Sequence, residues 1–241
     1  MKWNELFCNT FKELRKQIAP EVKKQFDLML PSYPMIEACR ANDFDFFLYW
    51  ITTGRLTVEQ MRHAAQRYLL GKTKSGQPIF WMIDDMLNPL DAHIGNTWMS
   101  ELLKKREPIV RYWTFSHCLF GLHLLQTANC TDSAPVVSIM ESEVSAAVLS
   151  ELFPESIWMA YVTTTHLHPD LFAPLQGCTV TLYPRTDPSL NTFLFFEELA
   201  TEVRQLYNIH ITVDSILEDN ATPEQKERCI DLLEFLLEDT S

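Results

Sequence analysis

After residue 120 this chain almost runs out of cations. Residues 121–241 hold 4 Lys+Arg against 19 Asp+Glu, a balance of −15, whereas residues 1–120 hold 16 against 13, a balance of +3. Nucleic-acid affinity rests largely on Lys and Arg neutralising phosphates. The second half is therefore a poor surface for a duplex unless divalent cations intervene, and any phosphate contact is expected from the first half. The acidic half also has a plainer reading, a solvated surface that keeps the protein soluble. Glycine is scarce too: none lies between Gly121 and Gly177, which argues against close approach of backbone to a phosphate in the loops of that stretch. Six cysteines (Cys8, Cys39, Cys118, Cys130, Cys178, Cys229) stand far apart with no C-x-x-C spacing. That excludes a zinc ribbon or zinc finger and fits reduced, mostly buried thiols. No run of about 18 apolar residues is present to span a bilayer. Lys2, Lys12, Arg15, Lys16, Lys23 and Lys24 interrupt the first 30 residues, so no secretory h-region is expected; the reading is a cytoplasmic protein with no membrane partner. A nucleophile elbow, a dinucleotide fingerprint and a kinase signature are all missing.

What is present is an ordinary globular composition, 46% hydrophobic and 22% charged over 241 residues, sufficient for one large or two small domains. Residues 4–30 carry Leu6, Leu14, Ile18, Val22, Phe26 and Met29 at helical spacing, broken near Ala19-Pro20,. PSYP (31–34) is a break. An aromatic helix is expected around Phe44 to Ile51, and a second one from Thr57, whose T-V-E-Q is a capping box, stopping at Gly71. PIFWMID (78–84) reads as a strand, and Asn96 is expected to cap a helix through Lys105. From Pro135 onward, apolar runs alternate with helical patterns: VVSIM, then a helix from about Ser142; IWMAYVT, then a short helix over 169–175. TVTLYP is followed by a long helix from Ser189, and IHITV by a closing helix that opens on a second capping box, T-P-E-Q at 222–225,. The fold class that follows is α/β: a parallel sheet flanked by helices, with a mainly helical N-terminal region. The divisions are 1–70, 71–134 and 135–241. Right-handed crossovers would set Glu141, Thr163 to Thr165 and Arg185-Thr186-Asp187 on one edge of that sheet, where open parallel sheets place ligands.

A strand ending in Glu, a helix, a second strand and a third strand ending near Asp resembles the Toprim pattern of topoisomerases and bacterial primases. The carrying stretches are RYLLGKTKSGQPIFWMID (67–84), WMSELLKKRE (98–107), CLFGLHLL (118–125), SIMESEVSA (138–146), CTVTLYPRTD (178–187) and ITVDSILEDNATPEQKERCIDLLEFLLE (211–238). In that order they cover about residues 45–238 and resemble the primase-like branch of Toprim-like proteins from bacterial mobile elements. Residues 71–134 would then correspond to the primase N-terminal subdomain. The resemblance implies a role in mobile-element DNA replication or transfer, with DNA or a replication or mobilisation protein as partner. It also implies a Mg²⁺ site in which Glu141 matches the first acidic position, Glu143 follows, and Asp187 matches the last. Hard cations prefer such oxygen ligands and stabilise charge developing in phosphoryl transfer.

Arg185 departs from that pattern, since it stands where the family has the first Asp of an Asp-x-Asp pair. A guanidinium does not deprotonate in proteins, so a cation ligand has been replaced by a fixed cation. The family also tends to have a Lys after its second glutamate, where this chain has Val144, and a Gly-rich loop where it has YVTTTHL. The expectation is a degenerate site in which Arg185 pairs with Glu141 or Glu143, no metal cofactor is held, and the protein acts without metal-dependent catalysis. Two alternatives stay open: an active Mg²⁺-dependent primase or nuclease using Glu141, Glu143 and Asp187, and a pure protein-interaction module. Glu141 also has a plain structural reading, an acidic residue beside a helix N-terminus capped by Ser142. Lys72 and Lys74 of GKTKSG (71–76), together with Lys104, Lys105 and Arg106, are the candidate nucleic-acid contacts; GKTKSG itself reads as a turn, having the wrong order for a phosphate loop. His166-x-His168 lacks a third ligand and reads as loop histidines. Phe193, Phe196, Leu199, Ala200, Val203 and Leu206 form a core stripe.

Overall fold

A computed structural model describes residues 31–40, 55–127 and 134–238. The helices expected over 4–30 and 44–51 lie outside the described residues. Pro34 opens a short helix, α1 (Tyr33–Ala38), instead of breaking the chain, because proline is tolerated in a first helical turn where its missing N–H has no partner to lose,. Helix α2 (Val58–Arg67) starts on the expected capping box, with Thr57 and Gln60 each bonding the other's backbone N–H. It ends at Arg67, short of Gly71. Leu69 turns left-handed (φ 56°) and the Leu70 amide donates to Ala65 O, which reverses the chain,.

Gly71 instead begins β1 (Gly71–Lys72), the first strand of an antiparallel sheet with β2 (Pro78–Ile83), β3 (Pro89–Ile94) and β4 (Thr97–Trp98) in that order. The unbroken apolar run of β2 has a physical cause: both of its faces are covered. Ile79, Trp81 and Ile83 pack with Ile36 of α1 and Ala92, while Phe80 and Met82 join the main core on the other face, as the two-residue period of a strand requires. Asn96 caps no helix. Gly95 (φ 59°) and Asn96 form the two-residue turn that pairs His93 with Trp98 and Ile94 with Thr97,. Helix α3 (Met99–Arg106) follows directly, with Trp98 at its N-cap and no side-chain cap bond.

The second sheet is parallel, as the alternating pattern implies. Its strands are β5 (Val136–Met140), β6 (Ile157–Ala160), β7 (Thr179–Leu182) and β8 (His210–Val213), in the order β6-β5-β7-β8. Helix α4 (Glu143–Leu152) connects β5 to β6 and packs on β6 and α2; α5 (Asn191–Tyr207) connects β7 to β8 and packs on β8 and on a 3-10 segment, Pro169–Leu175. The two crossovers run in opposite directions across the sheet, so the right-handed rule puts α4 and α5 on opposite faces. Tyr68 joins the two sheets. Its ring stacks on Phe120 at 5.0 Å and its hydroxyl donates to Trp158 O at 2.7 Å, so one core runs continuously beneath both.

The closing helix is three short ones: α6 (Ile216–Asn220), α7 (Pro223–Glu227) and α8 (Leu232–Glu238). The T-P-E-Q box caps α7 as expected. Cys229 then goes left-handed (φ 51°), its amide donating to Lys226 O, and the helix terminates,. A new start follows at once, since the Glu234 amide donates to Asp231 Oδ1 and the Asp231 amide to Glu234 Oε2. Those two bonds are a third capping box. No helix among the described residues is long and apolar enough to cross a membrane.

Candidate functional site at the carboxyl edge of the parallel sheet

In this strand order β5 and β7 are neighbours, yet the chain visits β6 between them. Their carboxyl ends therefore flank the point where the connections diverge to opposite faces, the place where open parallel sheets form a crevice. Glu141 is the first residue after β5 and Arg185 the third after β7. Arg185 Nε lies 3.3 Å from Glu141 Oε2, and Arg185 Nη2 lies 3.6 Å from Glu234 Oε2 at the start of α8. The first contact is close as a charge pair but misaligned as a hydrogen bond, leaving Nε buried with no hydrogen-bond partner among the described residues. Two more buried hydroxyls close to this edge, Thr163 Oγ1 after β6 and Thr186 Oγ1 after β7, likewise lack one.

The electrostatics are crowded. Burial pushes the Glu141 carboxyl above its usual range, Asp231 and Glu143 push it further, and the opposing pull of Arg185 does not offset them. Tyr161, beneath the site, is raised well above the usual phenol range by burial and then by Glu141. The backbone is strained here as well. Val162 has φ 67°, its amide donates to Glu141 O at 3.1 Å, and the Thr163 amide donates to Tyr161 O at 2.8 Å. A β-branched residue at positive φ is an outlier that persists only where its surroundings hold it.

The other expected ligands face elsewhere. Glu143, buried in the first turn of α4, takes His93 Nδ1 of β3 at 2.6 Å. Asp187 folds under the N-terminus of α5. Its Oδ1 accepts from the Ser189 amide (2.8 Å), the Ser189 hydroxyl (2.7 Å) and the Asn191 amide (3.3 Å), and its Oδ2 accepts from the Thr192 amide (2.7 Å). Burial alone would raise that carboxyl, but the bonds from Ser189 and Thr192 outweigh it and hold it well below the usual carboxylate range,. Glu141, Glu143 and Asp187 thus each serve a different partner, and with a guanidinium beside Glu141 the donor set does not fit Mg²⁺. Among the described residues no three His, Cys, Asp or Glu side chains are grouped to hold a metal. Ser142 does cap α4, accepting from the Ser145 amide at 3.1 Å.

The basic residues fall into two groups. Lys72 ends β1, and Lys74 is exposed in the turn before β2, a turn closed by the Gly76 amide on Thr73 O. Lys104, Lys105 and Arg106 form the last turn of α3, with Lys104 Nζ 5.5 Å from the Phe115 ring centroid. The two groups belong to different elements, β1 with the turn after it and the C-terminal end of α3, which packs on β3 and β4. His168 is exposed, and His166 lies in a 3-10 turn, Thr164–His166.

Several residues of this region carry no weight in the sequence reading. Ser145 Oγ donates to Asp231 Oδ2 at 2.7 Å, tying α4 to α8. Asp91, 1% exposed, accepts on Oδ1 from the Ala92 and Ser100 amides, and its Oδ2 stands 3.8 Å from His117 Nδ1. The pattern D-L-L-E at 231–234 is a legible capping-box signature. The His93–Glu143 pair joins residues 50 apart and has no local signature at all.

No curated protein matches the chain. A family model does, over residues 45–186, a span that takes in α2, the antiparallel sheet and the switch point as far as Thr186. That match spans more than half of the sequence, and the chain belongs to the family described as the domain of unknown function DUF6371.

Proposed function

We propose that this protein is a non-catalytic, Toprim-like accessory protein acting in mobile-element DNA replication or transfer. The observation that carries the first part is Arg185: a permanent cation sits between Glu141 and Glu234 at the switch point, the position at which a metal-dependent enzyme of this pattern would need free carboxylates. The guanidinium stands in for the divalent ion as counter-charge and supplies none of its Lewis acidity. The DNA part comes from the resemblance, and its candidate contacts are Lys72 and Lys74, in β1 and the turn after it, and Lys104, Lys105 and Arg106 in the last turn of α3. The test is a calorimetric titration with Mg²⁺ and Mn²⁺ beside primer-synthesis and nicking assays. Tight binding that Glu141→Gln abolishes, or activity with either ion, rejects the non-catalytic reading. DNA binding measured at two salt concentrations tests the rest: affinity should fall steeply with salt, and K104E/K105E should flatten that slope.

A second reading, a pure protein-interaction module, is favoured by the outer face of α5. Leu194, Phe195 and Leu206 are exposed there among Glu198 and Glu202, so Leu206 lies outside the core stripe expected from the spacing, of which Phe196, Leu199, Ala200 and Val203 are buried. It predicts no DNA binding even at low salt.

A further inference from the structure

We propose that the outer face of α5 docks a basic amphipathic helix of another protein, with Phe195 and Leu206 seating its apolar side chains and Glu198 and Glu202 its cations. One side of α5, formed by Phe196, Leu199, Ala200 and Val203, is buried, and the helix packs on β8 and on the 3-10 segment Pro169–Leu175. The opposite side is not simply a solvated polar face. Of the 11 large hydrophobic side chains exposed on the described residues, four belong to α5 or its N-cap: Leu190, Leu194, Phe195 and Leu206, from 39% to 57% exposed. Single exposed apolar residues are ordinary, whereas a group of them rimmed by charge marks an interaction surface.

The spacing says what shape of partner fits. Phe195, Glu202 and Leu206 recur at i, i+7 and i+11, so they share one side of the helix, with Glu198 one turn from both Phe195 and Glu202,. Apolar contacts about three turns apart bracket two carboxylates, a pattern that a second helix lying along α5 can match. The charge says which helix. Glu197 is already paired with Arg204 at 3.8 Å, but among the described residues no cation reaches Glu198 or Glu202. The partner that complements them carries Lys or Arg at the middle of its seam. A second copy of this chain fits badly. Laid antiparallel, it would seat Leu206 of one chain on Phe195 of the other but set Glu202 against Glu198, like charge opposite like charge.

This inference deepens the protein-interaction reading and rests on it only for the role of this face. DNA binding at low salt would reject the pure-module reading and leave the docking site standing, whereas the peptide measurements decide docking alone. The probe is a synthetic helical peptide of about 18 residues with two leucines three turns apart and two lysines between them, beside a counterpart with glutamates for the lysines. Fluorescence anisotropy on the full chain should show the lysine peptide binding about tenfold or more tighter than the glutamate peptide. A net charge of −12 favours the lysine peptide at any site, so a charge swap decides. Glu198→Lys with Glu202→Lys should reverse the preference, and the same change of charge on α7, Glu224→Lys with Glu227→Lys, should leave it standing. Leu206→Ser should weaken the lysine peptide by about tenfold, the worth of burying the exposed half of one leucine. All of these side chains are exposed, so the variants keep the core intact. A photo-crosslinking phenylalanine analogue at position 206 should join the peptide. A preference that shifts equally in the two swap variants would overturn the proposal, as would full affinity in Leu206→Ser, or crosslinks to a second copy or to residues 1–30 of the same chain in place of the peptide.

Discussion

Asp187 has two incompatible assignments, relict metal ligand and helix cap, and one pair of substitutions separates them. In the structure its carboxylate accepts three backbone amides, those of Ser189, Asn191 and Thr192, and the Ser189 hydroxyl. It does so from three residues ahead of the N-cap because that residue, Leu190, at φ 62°, turns the chain so that the carboxylate lies beneath the exposed N–H groups of α5. Losing such a cap costs about 0.5–2 kcal/mol. Losing the negative charge at a helix N-terminus adds about 0.3–1 kcal/mol, at the low end here because the site is half-exposed and screened. Asp187→Ala should therefore destabilise by about 1.5–2 kcal/mol, which for a chain of this size is a fall in Tm of roughly 3–8 °C. Asp187→Asn keeps an acceptor and should lose only the charge, about 0.5 kcal/mol, since Asn caps about as well as Asp.

The pH dependence has a definite sign. The carboxyl of Asp187 lies below the usual aspartate value of 3.8 in the folded protein. Its contribution is therefore fully present above that value and is lost as pH falls through the folded value. The gap between wild type and Asp187→Asn should hold from neutral pH down to about 4 and close below it. Urea unfolding at pH 7, 5 and 3 measures all of this. Equal destabilisation by Asn and Ala would refute the capping account. A Tm gap that appears only with Mg²⁺ and vanishes in chelator would reinstate Asp187 as a ligand.

The alternation after Pro135 made the parallel sheet legible, because β5 and β6 are buried nearly throughout and read as apolar runs between helical patterns, while β7 and β8 still set buried Val180, Leu182 and Ile211 at strand spacing,. The capping boxes at Thr57 and Thr222 were legible for a similar reason: both halves of each lie within four residues. The antiparallel sheet was legible only at β2. Strand β3 keeps the two-residue alternation, Leu90, Ala92 and Ile94 against Asp91 and His93, but over only one short segment, and its polar residues face Ser100, His117 and Glu143 instead of the solvent that such a pattern implies. The same limit applies to the site. Glu141 and Arg185 could be placed on one edge from strand order, but the third member, Glu234, arrives from a helix that a left-handed Cys229 had to start afresh. A cysteine at positive φ has no sequence signature, since that conformation is set by the fold around it.

Gly121 has φ 84°, and a Cβ there would meet Trp158 O and Tyr68 Cε1, each at 3.0 Å; Gly121→Ala should cost about 2 kcal/mol or more by urea unfolding, combining backbone strain with a contact to an immobile carbonyl. Tyr68→Phe removes the bond to that same Trp158 O and should cost about 1–2 kcal/mol, with a double-mutant cycle against Gly121→Ala showing coupling because the two share one carbonyl. The last prediction concerns Glu141, whose sign is opposite to that of Asp187. Burial, helped by Asp231 and Glu143, raises its carboxyl above the usual glutamate value of 4.5. A raised acid contributes stability below its unfolded value and loses that contribution as pH rises through its folded value. At neutral pH an ionised Glu141 is therefore less favourable in the folded protein than in the unfolded chain, even with Arg185 beside it. Glu141→Gln should accordingly raise Tm at pH 7, and the advantage should shrink as pH drops through 4.5,. An ion pair strong enough to organise the edge by itself would give the reverse, a Glu141→Gln variant that is destabilised at pH 7 and recovers in acid. Thermal unfolding across pH 4–8 separates the two, and the sign decides whether Arg185 stabilises this edge or only offsets part of the crowding there.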